Sequence, residues 1–403
     1  MTTAMPHARA TVLPPQLTLA GDTLYAVQGA VYALDAASGS VLGHFASFTS
    51  EPVAVGDAIY INTNYIEEHA LQALDPLTGV ARWRYDISDR LSGAPVATER
   101  AILVGVAEGF VDAVDPGDGA RLWRHAVGGL VFALPTVAEG VTYCAPAVNP
   151  PGQPTVFALR IDNGALLWRA AIPRSTTLPL IVSGGTVYIG AHDGCYALRA
   201  GDGALLWHRP WPSHTLSIHT PLALADGALF VVYQHFEHMW EPPDASRTIQ
   251  HAGVLAFSAA DGGMLWQQQL GAESGATRAG AVATGAGAVF VGSDDGYVNA
   301  LRTGDGAPIW RVRLGELSFG APVVTPNAVY IGASDGAVYA LRPADGALLW
   351  RAFVSTAVTV VAATSITAMR VSAPTPTAPA ASNAPAAPVE PDPSDPSGPI
   401  GSA

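Results

Sequence analysis

Lysine is missing from this 403-residue chain: all 20 basic residues are arginine, set against 33 acidic ones for a net charge of −13. Arginine replaces lysine freely on solvated surfaces, so the bias reflects codon composition rather than chemistry. That acidic excess argues against a phosphate-binding surface, which must displace counterions with many cationic side chains, so nucleic acid is not the expected partner. Cysteine is nearly missing too. Cys144 and Cys195 form no CxxC pair, and the sequence leaves open whether they are two small buried hydrophobes or one bridge. No stretch reaches the ~20 uninterrupted apolar residues of a membrane-spanning helix. The opening "MTTAMPHARATVLPP" has no signal-peptide core and no cysteine for lipid attachment, so the default compartment is cytoplasmic. No GxSxG, P-loop, HExxH or EF-hand pattern occurs.

What is present favours β-structure. Hydrophobic residues make up 49% and charged residues 13%, enough for a large core, while 42 glycines and 32 prolines suit many tight turns between short strands. One phrase recurs eight times, from "VYALDAASGSVLGHF" (31–45) through "VFALRIDNGALLWRA" (156–170) to "VYALRPADGALLWRA" (338–352). Its turn glycines fall at Gly39, Gly79, Gly119, Gly164, Gly203, Gly262, Gly306 and Gly346, a mean step of about 44 residues. Each unit holds four short alternating runs, and none shows a helical apolar stripe over twelve residues or more. Helical solenoids are thereby excluded. The expected fold is all-β: an eight-bladed β-propeller with four antiparallel strands per blade, spanning 12–371 after a short extension at 1–11. A Pro- and Ala-rich acidic tail, 372–403, reads as disordered.

The repeated residues have physical tasks. Glycine takes positive φ in the turn between third and fourth strands. Ala33, Ala73, Ala113, Ala158, Ala197, Ala256, Ala300 and Ala340 occupy one place in every unit, as expected where something bulky approaches the sheet. The bulky group is tryptophan. Trp83, Trp123, Trp168, Trp207, Trp266, Trp310 and Trp350 follow the turn glycine by four residues and are expected to lie across the seams between blades, indole N–H bonded to a backbone carbonyl. Blade 1 has Gly43 instead, and Phe45 is the candidate filler of its seam. The stretch "AVTVVAATSITAMRV" after Trp350 reads as two further strands that either clasp the ring or sit outside it.

The units resemble the pyrroloquinoline-quinone (PQQ) type propeller repeat, with its "yAlda..tG..lW" phrase per blade. That resemblance implies one of two groups: quinoprotein alcohol dehydrogenases, which hold PQQ and calcium on the ring axis, or scaffolds such as the outer-membrane assembly lipoprotein BamB, which bind protein. The dehydrogenase pattern includes adjacent cysteines against the quinone, acidic and amide metal ligands and an aspartate base. No Cys-Cys pair exists here, so no catalytic residue carries over. The expectation is a non-catalytic, monomeric scaffold without cofactor, the alternative a site for PQQ or another small molecule.

A partner site is sought where the repeat breaks. The joint between second and third strands is tight in blades 3, 5, 7 and 8 but swells in blades 2, 4 and 6, at 63–69, 146–154 and 235–252. Equivalent joints emerge on the same face of the disc. The blade 6 loop holds His235, Glu237, His238 and Trp240, and the segment before it holds Trp211 and His214. Trp211 and Trp240 alone lie off the repeat position and are the candidate exposed anchors for a protein or peptide. His235 and His238, with Glu237 between them, are candidate ligands for zinc or a similar metal, although their spacing matches no established motif.

Overall fold

The computed structural model describes residues 14–354 except 47–52, 56–57, 65–68, 77, 88, 130–134, 147–154, 174–175, 177, 214–215, 219, 242–244, 272–278 and 316–318; for 46, 53–55, 64, 92, 217 and 236–250 it describes the strands without their side chains. The expected strands within 357–371 and the tail 372–403 lie outside the described residues.

Among the described residues there is no helix, hence none long and apolar enough to cross a membrane. The strands form eight separate antiparallel sheets, each built from consecutive strands, arranged as the eight blades of a β-propeller. Blade 1 runs Gln16–Ala20, Thr23–Val27, Ala30–Asp35 and Val41–Ala46. Blade 8 runs Val323–Val324, Val329–Gly332, Ala337–Leu341 and Leu348–Phe353. No described sheet mixes strands from the two ends of the chain. Blade 6 varies the plan: its innermost position is split into Leu216–Ser217 and Ala223–Ala225, both pairing with the second strand.

The repeated phrase is explained at the seams. Each repeat alanine is fully buried on the third strand, and in seven blades it pairs directly with the tryptophan of the fourth, as in Ala73↔Trp83 and Ala340↔Trp350. A methyl group there lets the indole lie across the sheet and reach the next blade. The seven indole N–H groups donate to the carbonyls of Pro116, Ile161, Ala200, Ala259, Thr303, Pro343 and Ala36, at 2.7–3.2 Å. Every acceptor belongs to the following blade. A Cβ on that blade's turn glycine would stand only 2.5–2.7 Å from the indole Cε3, so the close approach demands glycine as much as the positive φ does. Phe45 closes the seam of blade 1, its ring lying against Gly79.

The other face of each third strand carries a varied cross-strand pair. Tyr32 stacks on His44 and Tyr196 on His208, with ring centroids at 5.6 and 4.1 Å. In blade 3 the pair is ionic. The fully buried Asp112 carboxylate accepts from Arg124 Nε and Nη2, both at 2.7 Å, and from the Tyr85 hydroxyl of blade 2 at 2.9 Å. The sequence reading missed this network, though an aspartate where other blades place Tyr32, Phe157 or Leu255 was a visible signal.

Candidate functional site

Strand direction alternates across each blade, so joints between second and third strands all emerge on one face and the glycine turns on the other. The three enlarged joints therefore share a face. In blade 2 the ladder continues through Thr63↔Ala70 to Asn64↔His69, leaving 65–68 outside the described residues, as is 147–154 in blade 4.

Blade 6 corrects the expectation of a loop at 235–252. Its second and third strands, Ala228–Glu241 and Ala245–Ser258, are 14 residues each and stay paired from Ala228↔Ser258 to Glu241↔Ala245. Local chemistry explains this. Neither arm contains a proline or glycine between Ala228 and Glu241 or between Ala245 and Ala252, and the breakers Pro242, Pro243 and Asp244 fall between the arms. Neighbouring strands stop early. Leu216 pairs with His235, and on the other side Leu270 pairs with Ala252 before Gly271, at φ 86°, turns the chain away. Among the described residues, the arms beyond these pairs form a two-stranded ribbon.

The candidate residues are placed as follows. Trp211 is not the exposed anchor that its off-repeat position suggested: it is 8% exposed, its ring centroid 5.9 Å from that of Phe257 and its indole N–H donated to the Ala191 carbonyl at 2.9 Å. The reason is tertiary. Blades 5 and 6 meet over the segment after Pro210, and Trp211 fills that junction with Tyr188, Leu222 and Val231. It packs the seam between blades 5 and 6 rather than facing solvent. His214 lies outside the described residues. His235 pairs across the ribbon's root with His251, centroids 6.3 Å apart, and His251 Nδ1 lies 3.0 Å from Gln269 Nε2. Glu237, His238 and Trp240 occupy strand positions opposite Ile249, Thr248 and Ser246, with side chains outside the description. Among the described residues no three histidine, cysteine or acidic side chains cluster as a metal would require.

The ring axis provides a separate test. The innermost strands read QLTLA, VAV, LSGAPVA, TVA, IVS, LS with ALA, AGAVATG and VV, without one ionisable side chain. Calcium takes hard oxygen ligands, usually carboxylates, and a polycarboxylate quinone needs cations. These strands provide neither; the stretches 47–52, 272–278 and 316–318 that lead into three of them lie outside the described residues. The two cysteines offer no redox pair either. Both are free and fully buried, and burial pushes each thiol up to about 12.

Comparison with known proteins places the chain. The family described as outer membrane protein assembly factor BamB matches residues 107–237 and 250–382, more than half the chain. The serine/threonine-protein kinase AfsK of Streptomyces griseus is 33% identical over 183 residues, covering 42% of this chain and 22% of the kinase. BamB of Burkholderia pseudomallei is 30% identical over 149 residues, covering 37% of this chain and 36% of that protein. The matched stretch thus spans about a fifth to a third of these relatives' lengths. Among solved structures, quinohemoprotein alcohol dehydrogenase from Comamonas testosteroni superposes with a TM-score of 0.63 at 14% identity, covering 86% of this chain and 76% of the enzyme, a likeness of fold alone.

Proposed function

The chain belongs to the family of the outer membrane protein assembly factor BamB, and from that premise we propose that it is a non-catalytic scaffold holding a protein or peptide partner on the face of the enlarged joints. One observation carries the reading: the blade 6 ribbon, with 14-residue arms where the corresponding strands of blade 5 have 6. Ring closure does not need it. Seams depend on indole, alanine and glycine positions near the opposite face, and blades 5, 7 and 8 close theirs over short joints. A conspicuous projection on a repetitive ring is the part free to serve recognition. His235 and Trp240 on the ribbon are the proposed contacts, while Trp211 packs the seam between blades 5 and 6.

The test compares the intact chain with one in which 235–252 is replaced by Ser-Asp-Gly, the joint of blade 8. Photo-crosslinking from position 240 in an extract of the producing cells identifies the partner, and binding of that purified partner is then measured for both chains. Loss of binding with an unchanged melting temperature supports the proposal. Equal affinity for the two overturns it. The reading without cofactor is tested by adding PQQ and calcium and looking for a quinone absorbance band that co-elutes with the protein; such a band would favour the dehydrogenase-like alternative.

A further inference from the structure

Blade 1 meets its two neighbours by unequal means. Toward blade 8, Trp350 lies on Gly39 and donates to the Ala36 carbonyl at 3.1 Å, and the Tyr330 hydroxyl donates to the same oxygen at 2.8 Å. Leu17, Leu24, Ala26 and Leu34 of blade 1 share a core with Tyr330, Val338 and Val354 of blade 8. Toward blade 2, Tyr25, Val31 and Ala33 share a core with Ile59, Ile61 and Leu74, but Gly43 occupies the tryptophan position opposite Ala33, and Phe45 lies against Gly79.

Phe45 is not a displaced tryptophan. It stands two residues after the tryptophan position, where other blades carry a second layer over the same glycine. Arg209 joins Trp207 on Gly262, and Val312 joins Trp310 on Gly346. Blade 1 retains only that second layer. The missing parts are an indole ring and its N–H donor, which phenylalanine cannot replace.

We propose that the propeller has one built-in opening line, between blades 1 and 2, and that blade 1 moves with blade 8 when it parts. The place where the chain's first and last blades meet is latched; the yielding seam is one the chain crosses by its own connection, 47–52. The ring is a split washer whose gap lies one blade in from the start. A partner that widens or narrows the disc would act at this line.

Hydrogen exchange of the full chain, followed by mass spectrometry, tests this. Peptides facing the 1–2 seam, within Thr23–Asp35 and Ala58–Leu74, are expected to exchange at least roughly fivefold faster than their counterparts at the other seams, given one hydrogen bond and one ring fewer. Gly43→Trp with Phe45→Ala rebuilds the missing layer and should slow them by a similar factor. Gly79→Ala, which sets a methyl against Phe45, provides a second reading if that double variant fails to fold. It should speed exchange at the 1–2 seam and leave the 8–1 seam unchanged, whereas Gly39→Ala should do the reverse. Uniform exchange over all eight seams, or fastest exchange between blades 8 and 1, overturns the proposal.

Discussion

The indole N–H of Trp350, in the last blade, is bonded to the carbonyl of Ala36, in the first, at 3.1 Å and across 314 positions of sequence. Like the six other tryptophan seams, this one joins two sheets by a side chain and no shared strand. Each seam can therefore be weakened by a point change.

Trp266 is 8% exposed and contacts the turn at Gly306. Trp266→Ala is expected to lower unfolding free energy by about 3–5 kcal/mol. Trp266→Phe keeps most of the packing and forfeits the bond to Thr303, about 1 kcal/mol. Urea denaturation at 25 °C distinguishes the two.

Glycine substitutions should divide by surroundings. Gly119 has φ +76° and a built Cβ would stand 2.7 Å from Trp83 Cε3, while Gly21, at φ +56°, has nothing within 4 Å. Gly21→Ala should cost about 1 kcal/mol, the backbone preference alone. Gly119→Ala should cost severalfold more and shift Trp83 fluorescence, since the indole must move.

The Asp112–Arg124 pair offers a test using templates within the chain. Asp112→Ala strands a partly solvated guanidinium and should destabilise by roughly 2–4 kcal/mol. Asp112→Leu combined with Arg124→Gln copies the Leu255–Gln267 pair of blade 6 and should be close to neutral. A double variant as unstable as Asp112→Ala would show that the ionic pair itself is required.

With both thiols buried and pushed up to about 12, Cys144 and Cys195 should resist a thiol reagent at pH 8 in the folded protein. Two equivalents should react in denaturant. Fast labelling of either in native buffer would contradict the burial.

Acid response is expected from the exposed turns. Asp202, Asp261 and Asp345 are held below the usual 3.8, chiefly by the backbone N–H groups of Ala204, Gly263 and Ala347. A carboxylate with a depressed folded pKa stabilises above the unfolded value and loses that contribution as pH falls through the folded one. The melting temperature should therefore be flat from pH 7 to 5 as far as these turns decide it, declining only below about pH 4. Carboxylate titration by NMR should give midpoints below 3.8 for all three.

Legibility in the sequence followed the range of the interaction. The Gly-x-x-x-Trp spacing and the invariant small residue at Ala73 or Ala340 are local and repeated, so blade number, strand count and seam chemistry were readable, including Phe45 in the exceptional blade. Trp211 was not. Its off-repeat position is visible, but whether an indole there is exposed depends on how blade 6 approaches blade 5, which no local pattern encodes. The ribbon was half legible. Its departure from the template was plain, yet histidines, glutamates and a Pro-Pro pair suggested irregular chain, whereas the breakers stand only at the tip and both arms keep strand geometry. Asp112 was readable as an oddity, but its partner Tyr85 comes from the neighbouring blade.

Because every described sheet is assembled from adjacent stretches of chain, and blades 1 and 8 meet through side chains that pack and bond across the seam without a shared strand, the order in which blades are strung has little structural privilege. A gene rearranged to begin at a junction closed by tryptophan should encode the same disc. The starting point of such a molecule is then free to follow the needs of synthesis or fusion to other domains.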